Sequence, residues 1–572
     1  MSDFLFASNP QRRSQLAQPL QALMPVPERI AVTEYQGDWG ALAVSQSPYQ
    51  GFVPYETAEH LCAVIGGPVL CWRDNNFLAE HKPSSAASRA ILERYLSGQA
   101  DWAEDLSGPF VLLIIDKLKQ QLYCITDHML FIPVYQYHQE ADWVLGTHVD
   151  AVAQVSEQEH AIDPVSVDDY ILHGVVTYPH TMFTQIFQLE PATQYCWTFN
   201  RQHNLESWET YWEPKEYNPY RNMTEAAAAF RVGVLDHIER ITAQLDSVGL
   251  FISAGEDSRS IAGMLPTRLK RHGYVFLDSK NREFNIAQRV ARAYGCVFHA
   301  LVRSPTHYVD ILPAASRLVG SGLQYTHAHS LGLAEESGLD QQQAVFGGYG
   351  ADALLKAAHA RTFKAWQRLK FLPDIERQGE TRTQPLVANG YASEHLAAID
   401  QRRRQHMQKV QAIRPKSCHE WFVLWPYSML KSNTNIAVNR RLFPSYELYT
   451  CKAAVQHAAC IPVKWKNNRR FFHKAVKAYF AKSQFIPHPT GIFPYYGLAV
   501  NLWSKPLIQI WQRLQRQIKG ARYEGAWSDW SKNIHLLLAR AGCDAQDLQG
   551  LSTEQKINYV QHHSYLLKMN KA

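Results

Sequence analysis

The front half of the chain alternates short apolar runs with polar turns. Val111 to Ile115 is a continuous apolar run, Leu122 to Thr126 follows it after a polar turn, and Trp143 to Thr147 follows after another. Two apolar runs joined by a short polar turn indicate a β-hairpin, and runs without alternation indicate strands buried on both faces. The first ~200 residues are therefore predicted to form stacked or sandwiched β-sheets.

From about Thr224 onward, short apolar strands alternate with amphipathic helices. A helix with apolar residues at helical spacing is predicted from Ala226 to Ala243, and apolar strands begin at Val248, Tyr274 and Cys296, with helices between them. This alternation is typical of a parallel α/β sheet, in which ligands bind beyond the carboxyl ends of the strands. Beyond roughly Asp352 the chain becomes mainly helical.

The length of the chain supports two domains. At 572 residues it exceeds the size at which one hydrophobic core keeps growing. The segment from Trp208 to Met223 is rich in proline and asparagine and has the composition of a linker. We therefore predict one domain over residues 1–212 and a second over residues 213–572.

Composition and charge exclude several classes of function. Hydrophobic residues make up 46% of the chain and charged residues 19%, which excludes a large disordered or fibrous part. The net charge of +6 is small and spread along the chain, so nucleic acid is not indicated. The nine cysteines are scattered without a Cys-x-x-Cys pair, which indicates neither a disulfide framework nor a zinc cluster. With no leader and no apolar stretch of ~20 residues, we expect a cytoplasmic protein.

The most informative stretch runs from Leu250 to Ser260. An apolar strand leads into a turn of small residues, Ser253 to Gly255, and a helix begins near Ser258. Small residues let backbone N–H groups approach phosphate oxygens, and a helix N-terminus adds unpaired donors. The stretch predicts a cradle for the phosphates of ATP, and a helix capped by Ser253 or Asp257 without any ligand is the alternative.

A second acidic turn follows another apolar strand. Ala344 to Phe346 leads into Gly347 to Asp352, and a helix is predicted from Ala353. In a parallel sheet Asp257 and Asp352 would project at the same edge, where two carboxylates can share Mg²⁺ on a triphosphate. The alternative is that Asp352 only caps an ordinary helix.

These motifs resemble those of a known family. Ser253 to Ser258 is similar to the Ser-Gly-Gly-x-Asp-Ser loop of ATP pyrophosphatases, and Gly347 to Asp352 to the second acidic loop of asparagine and β-lactam synthetases. Further similar elements are Arg282 to Gly295, Arg441 to Ser445, Leu106 to Phe110, Asp116, Asp127, Pro133 to Tyr135, Asp168 to Gly174 and Leu189 to Pro191. Over nearly its whole length the chain resembles the superfamily of asparagine synthetases, β-lactam synthetases and lasso-peptide cyclases.

The resemblance implies a fold and a site. It implies an Ntn-hydrolase-like domain with α-β-β-α layers, followed by an α/β ATP-pyrophosphatase (HUP-like) domain with a helical extension. Asp257 and Asp352 are the expected Mg²⁺ ligands. The expected ATP-binding residues are Leu250, Ser253, Ala254, Gly255, Asp257, Ser258, Leu277 and Gly348.

The glutaminase chemistry of the superfamily is predicted to be lost. The resemblance calls for a cysteine directly after Met, whose thiol and free amine perform acyl transfer, and position two is Ser2. A hydroxyl without a base is a far weaker nucleophile than a thiolate. There is also no recognisable glutamine-binding loop around Trp72 to Asn76. The amine must then come from elsewhere.

Tyr349 is a candidate catalytic residue. The resemblance to β-lactam synthetases places it where a tyrosine helps to deprotonate the attacking amine. A phenol with a pKa of ~10 is a poor base unless a carboxylate lies beside it, and Glu376 and Glu380 lie downstream. The alternative is that Tyr349 is an aromatic residue that only packs against the glycine turn.

Two departures from the family concern the loops. Related synthetases carry a lysine in a C-terminal loop that stabilises the adenylate and the tetrahedral intermediate, whereas Phe485 to Gly497 contains none. We assign a catalytic role to His488, with Lys482 and Lys505 as other replacements and no replacement as the remaining alternative. Ala254 stands in place of a glycine, which is tolerable only if its φ is negative.

Two further clusters, one of histidines and one of arginines, are interpreted without a ligand. His327 and His329 lack the further ligands that a metal site needs, so they are interpreted as pocket or helix-surface residues. Arg402 to Arg404 could grip a peptide or nucleic acid, and an exposed helical face is the preferred interpretation.

The predicted reaction joins a carboxylate to an amine. MgATP activates the carboxylate as an acyl-adenylate with release of pyrophosphate, and the amine then displaces AMP. A lactam or macrolactam in natural-product or lasso-peptide biosynthesis is the first hypothesis, and an intermolecular amide ligase acting on a saccharide or metabolite, or an inactive nucleotide-binding scaffold, are the alternatives. Expected partners are a peptide or small molecule carrying both groups, other enzymes of the pathway and a second copy of the chain, without nucleic acid or membrane.

Overall fold

The structure is a computed structural model of the chain. It describes residues 2–23, 30–140, 142–199, 204–360, 362–365, 375–378, 391–519, 530–543 and 548–569.

The front half contains two antiparallel sheets. The first has the strand order β12-β10-β11-β1-β3-β2 and the second β14-β13-β9-β8-β5-β4, while β6 pairs with β7. The strands are β1 (Phe4–Ala7), β2 (Val32–Gly37), β3 (Gly40–Ser45), β4 (Tyr55–Glu56), β5 (His60–Gly66), β6 (Val69–Leu70), β7 (Leu106–Ser107), β8 (Phe110–Asp116), β9 (Gln121–Thr126), β10 (Tyr135–Gln139), β11 (Asp142–Gly146), β12 (Ile186–Gln188), β13 (Thr193–Phe199) and β14 (Asn204–Thr210).

The two sheets pack face to face with helices outside them. Phe6 and Leu42 of the first sheet share one core with Val111 and Leu113 of the second, while Leu112 faces the opposite side towards α2. The helices of this half are α1 (Ala17–Ala22), α2 (Ala86–Leu96), α3 (Trp102–Asp105), α4 (Val149–Val155) and α5 (Pro164–His173). The predicted α-β-β-α layers are confirmed, and β8 is buried on both faces as its unbroken apolar run requires.

The rear half is built on a parallel sheet with the strand order β17-β16-β15-β18-β21. The predicted alternation of strands and helices over residues 223–302 is confirmed within a few residues at each boundary. The strands are β15 (Ser247–Phe251), β16 (Lys270–Leu277), β17 (Cys296–Val302), β18 (Val345–Gly347), β19 (Thr362–Ala365), β20 (Ile375–Gln378) and β21 (Ser445–Glu447).

Helices surround this sheet and form most of the chain after it. They are α6 (Met223–Thr242), α7 (Glu256–Met264), α8 (Arg282–Tyr294), α9 (His307–Asp310), α10 (Leu312–Val319), α11 (Ser393–Ile413), α12 (Cys418–Trp421), α13 (Thr434–Leu442), α14 (Lys452–Cys460), α15 (Val463–Lys466), α16 (Arg470–Val476), α17 (Leu498–Lys519), α18 (Trp530–Ala541) and α19 (Thr553–Met569). None of the helices in the described ranges is long and apolar enough to cross a membrane.

A buried ion-pair cluster joins the two halves. Asp3 accepts hydrogen bonds from Arg440 Nη2 at 2.8 Å and from Arg441 Nε at 2.7 Å, and all three side chains are at most 3% exposed. Thr147 donates a further bond of 2.8 Å to Asp3. The two guanidinium groups hold the pKa of Asp3 well below its usual range despite the burial that opposes it. The start of β1 is thereby fixed to the end of α13, and with it the front half to the rear sheet.

Removing the charge of Asp3 tests this joint. Asp3→Asn leaves two buried guanidinium groups without their carboxylate, which is expected to cost about 3–5 kcal/mol of unfolding free energy. Thermal and urea unfolding measure this loss, with Asp38→Asn on an exposed turn as the control. Equal midpoints for Asp3→Asn and the control would contradict the role of the cluster.

Candidate functional site

The two acidic turns meet at the carboxyl edge of the parallel sheet. β15 pairs directly with β18, with Leu250 opposite Phe346, so the turns that follow both strands lie side by side. The second turn contains a close approach that requires glycine, because a Cβ on Gly347 would lie 2.0 Å from a carboxylate oxygen of Glu447. Adjacent parallel strands therefore bring Asp257 and Asp352 to one place, as their sequence context predicts.

The turn after β15 is held by its own hydroxyl groups. Ser253 Oγ lies 3.1 Å from Ser258 Oγ and accepts a bond of 3.0 Å from the N–H of Gly255, and Ala254 donates its N–H to Glu283 at 2.6 Å. Ala254 has no positive φ, so alanine is tolerated where the resemblance calls for glycine. Gly255 is the N-cap of α7, and as a glycine it has no side chain that could bond to the N–H groups of the first turn. Uncapped donors at a helix start can bind an anion, which favours the cradle over the capped helix.

A cavity of about 590 Å³ opens beside this turn. Of the predicted site residues, Ser253, Asp257, Ser258, Gly348 and Tyr349 line it. Phe251, Tyr274 and Phe276 add an aromatic side, and His327, His329 and Asn435 add polar groups. A volume of this size is typical of sites for nucleotides and similar ligands.

The remaining predicted residues lie outside the lining of the cavity. Leu250 and Leu277 are fully buried in strands β15 and β16, and Ala254 is fully buried below the turn. Gly255 is set back at the helix cap, and Asp352 projects to solvent. Their assignments as ligands of ATP or Mg²⁺ stay predictions.

The acidic turns share a buried lysine that the sequence analysis missed. Lys356 Nζ lies 3.0 Å from both Glu256 Oε1 and Asp352 Oδ1 and donates a hydrogen bond to Asp257 Oδ1. Arg469 Nη1 lies 3.2 Å from Glu256 Oε1. Lys356 directly follows residues 351–355, which form one π-type turn at the place where a helix is predicted from Ala353.

Burial and neighbouring charges perturb the pKa values of this cluster. Burial raises the pKa of Asp257, and the carboxylates of Asp352 and Glu256 raise it further, while Lys356 opposes the shift. Burial also raises the pKa of Glu256, but Lys356 and Arg469 outweigh it and lower the pKa overall. Burial lowers the pKa of Lys356, yet the surrounding carboxylates raise it above its ordinary value, so the ammonium stays charged at neutral pH.

Tyr349 lies on the wall of the cavity, and its hydroxyl is 2.9 Å from Ser432 Oγ. Burial raises the pKa of Tyr349, so its hydroxyl stays protonated in the free protein and the phenolate that could accept a proton is scarce. Glu380 lies outside the described residues, and the side chain of Glu376 on β20 is not described. The expected carboxylate partner at the hydroxyl therefore stays a prediction.

Glu447 is a buried carboxylate that the sequence analysis did not select. It lies at the end of β21, lines the large cavity and accepts a bond of 3.0 Å from the N–H of Tyr349. Burial raises its pKa, against the hydrogen bonds from Tyr349 and Asn439. In the sequence, Glu447 is marked as a candidate only by its position directly after Tyr446, at the end of a short apolar stretch.

His488 lies in the loop that contains Phe485 to Gly497. Arg259 and Arg282 donate to the backbone oxygens of Pro487 and Pro489 at 3.1 and 3.0 Å, so the loop is fixed against α7 and α8. His488 Nδ1 bonds with Thr490 inside the loop at 2.7 Å. Burial and Arg469 lower the pKa of His488 to about 4, so the neutral imidazole does not supply the charge of a lysine. Its catalytic role stays a prediction.

The front half has a much smaller cavity against the rear sheet. It measures about 20 Å³, lined by Gly67, Ser107, His237, Arg440 and Glu447 among others. Ser2 is buried beside it, where its hydroxyl accepts a bond of 3.0 Å from the N–H of Gly66. Such a volume accommodates about one water molecule.

The histidine pair, His327 and His329, and the arginine run that begins at Arg402 make contacts within the protein. His329 bonds with the hydroxyl of Tyr308 at 2.6 Å, and burial lowers the pKa of His327 to about 4, so both are neutral cavity residues. Arg402 pairs with Asp163 at 2.8 Å and joins α11 to the front half. Across the described chain no group of three or more His, Cys, Asp or Glu residues is arranged to hold a metal ion.

Comparison with known proteins agrees with this architecture. An asparagine synthetase (glutamine-hydrolyzing) 2 of Methanocaldococcus jannaschii is 21% identical over 180 residues, which cover 31% of this chain and 35% of the relative. Asparagine synthetase (glutamine-hydrolyzing) 3 of Bacillus subtilis is 20% identical over 247 residues and covers 40% of each chain. The match thus spans about 35–40% of the length of these curated relatives.

A solved structure of the allosteric regulatory enzyme of purine biosynthesis is similar at 10% identity with a TM-score of 0.25, covering 54% of this chain and 81% of that one. This likeness is too weak to carry an argument.

Two family models match the chain in sequence. The model described as glutamine amidotransferase domain matches residues 78–212, and the model described as asparagine synthase matches residues 234–477. The second match contains both acidic turns, Lys356 and Glu447, which are the groups that form the site. Together with the relatives, the two models confirm the resemblance of the chain to the asparagine synthetase superfamily.

Proposed function

We propose that the chain is an ATP-dependent, AMP-forming ligase that joins a carboxylate to an amine without hydrolysing glutamine. The observation that carries this proposal is the uncapped start of α7, which opens with Ser253 and Ser258 onto the cavity of about 590 Å³. The first-turn N–H groups suit the polyphosphate, and the side formed by Phe251, Tyr274 and Phe276 suits the purine base.

The proposed reaction has two steps. The substrate carboxylate oxygen attacks the α-phosphorus of ATP, and the bond to the leaving pyrophosphate breaks, which gives an acyl-adenylate. The amine then attacks the acyl carbon, the bond to AMP breaks, and the amine gives up a proton. The helix start stabilises the negative charge of the pyrophosphate.

Glu447 is the proposed acceptor of the amine proton. It is a carboxylate on the cavity wall beside Tyr349, and its burial raises its pKa towards the range useful for a base. We propose that Tyr349 contacts the amine through its hydroxyl, which Ser432 holds in place. Tyr349 would then orient the amine while Glu447 takes the proton.

The geometry of the front half supports an amine source other than glutamine. Ser2 offers a hydroxyl in place of a thiol, and the adjoining cavity of about 20 Å³ is too small for a glutamine side chain. We therefore propose a substrate that carries both a carboxylate and an amine, with a lactam or macrolactam as product.

The polyphosphate site is tested with Asp257→Asn. This change takes a carboxylate from the buried ammonium of Lys356 and leaves that charge partly unpaired at the first turn of α7, where Asp257 lines the cavity. Substrate-dependent release of pyrophosphate is expected to fall about tenfold to a hundredfold. The assay uses ATP with a panel of amino acids and short peptides that carry both groups.

Asp246→Asn is the matched control, since Asp246 is exposed at the opposite end of β15. Unchanged pyrophosphate release in Asp257→Asn would remove Asp257 from the site. No release by the unaltered chain with any member of the panel would favour an inactive scaffold.

The second step is tested with Glu447→Gln. The substitution keeps the shape of the side chain and removes the proton acceptor, so amide product is expected to fall about 10²–10⁴-fold. Exchange of labelled pyrophosphate into ATP, which reports the first step alone, is expected to persist. Tyr349→Phe should reduce product less and also spare exchange. If exchange and product fell together, both residues would serve binding or packing.

The loss of glutaminase chemistry is tested directly with glutamine. The purified chain is expected to release no glutamate, because Ser2 lacks a thiolate and the cavity beside it holds about one water molecule. Ser2→Cys should also fail, since the added thiol does not enlarge the cavity. Glutamate release by either protein would contradict this account of the front half.

A further inference from the structure

Lys356 occupies the point where the two acidic turns converge. Its ammonium contacts Glu256, Asp257 and Asp352 together, and its side chain is only 4% exposed. The ring of Phe472 covers it, with the centroid 4.4 Å from Nζ. Lys356 does not line the large cavity, so it acts on a ligand there through Asp257, which does.

The position of the ammonium conflicts with a divalent ion shared by Asp257 and Asp352. Mg²⁺ lies ~2.0–2.1 Å from each oxygen that it binds, so an ion shared by these carboxylates would lie between them. Lys356 already bonds to Oδ1 of both residues. An added ion at this point would lie against the ammonium, and the two positive charges would repel each other. The residues present therefore do not fit a shared Mg²⁺ at this point.

The negative charge of the three carboxylates requires a cation at this point. Glu256 and Asp257 are mostly buried at a helix start that faces a cavity suited to a polyanion, and Asp352 adds a third carboxylate. Without compensation these groups would repel the phosphates of a nucleotide. Lys356 and Arg469 offset two of the three negative charges from inside the protein.

We propose that Lys356 is a built-in cation that replaces a divalent ion between Asp257 and Asp352 and prepares the site for the polyphosphate of ATP. This inference rests on the proposed binding of ATP. It makes Lys356 a positioning residue whose charge neutralises Asp257 and fixes its carboxylate at the first turn of α7. Affinity for ATP should therefore depend little on divalent ions while Lys356 is present.

The experiment measures ATP binding to the full chain by calorimetry, in buffer with EDTA and in buffer with Mg²⁺. The unaltered chain is expected to bind ATP in both buffers, with dissociation constants that differ by less than about tenfold. Lys356→Met should weaken binding in EDTA by about tenfold or more, and Mg²⁺ should restore part of the loss. Lys356→Arg keeps the charge and should retain binding in EDTA.

Lys464→Met, which removes an exposed lysine on α15, is the matched control. A purely structural role of Lys356 would weaken binding in both buffers alike and would overturn the proposal. Binding by the unaltered chain only in Mg²⁺ would also overturn it, and this result does not require any variant to fold. Binding in neither buffer would overturn the proposed function itself, and the inference with it.

Discussion

The site depends on one electrostatic constraint, which is that carboxylates gathered at the start of a helix need positive charge inside the protein. Glu256 and Asp257 begin the helix after β15, and pairing of β15 with β18 brings Asp352 to the same edge. Buried carboxylates without partners would be strongly destabilising. Lys356 resolves this conflict, because its ammonium contacts all three carboxylates.

A second buried charge connects the front half to this site. Asp3 fixes the end of α13 through Arg440 and Arg441, and Asn439 on the same helix is hydrogen-bonded to Glu447 at 3.4 Å. Glu447 lines both the small front cavity and the large rear cavity. The front half thereby supports the part of the cavity wall that Glu447 forms. The small cavity on the front side of Glu447 holds about one water molecule.

The sequence predicts the elements of this fold more fully than the contacts of its site. The unbroken apolar run in β8 and the strand, small-residue turn and helix around Ser253 are local patterns, and the structure has them at the expected places. Lys356 follows an ordinary apolar stretch, and neither the π-type turn before it nor its contacts with the three carboxylates are indicated by sequence periodicity. Glu447 and Ser432 meet Tyr349 only through the tertiary fold, from positions 98 and 83 residues away.

The C-terminal loop from Phe485 to Gly497 contains no lysine, but the chain has a lysine at the site in Lys356. His488 is neutral because burial lowers its pKa, so the loop itself brings no positive charge from this residue. Lys356 supplies an ammonium from below the helix start, where it acts on Asp257 before any ligand arrives. The most direct test is a crystal structure with Mn²⁺ and a non-hydrolysable ATP analogue, in which anomalous scattering locates the metal. We predict the triphosphate at the first turn of α7 with Lys356 still between Asp257 and Asp352, and a manganese ion between those carboxylates with Lys356 displaced would contradict the account.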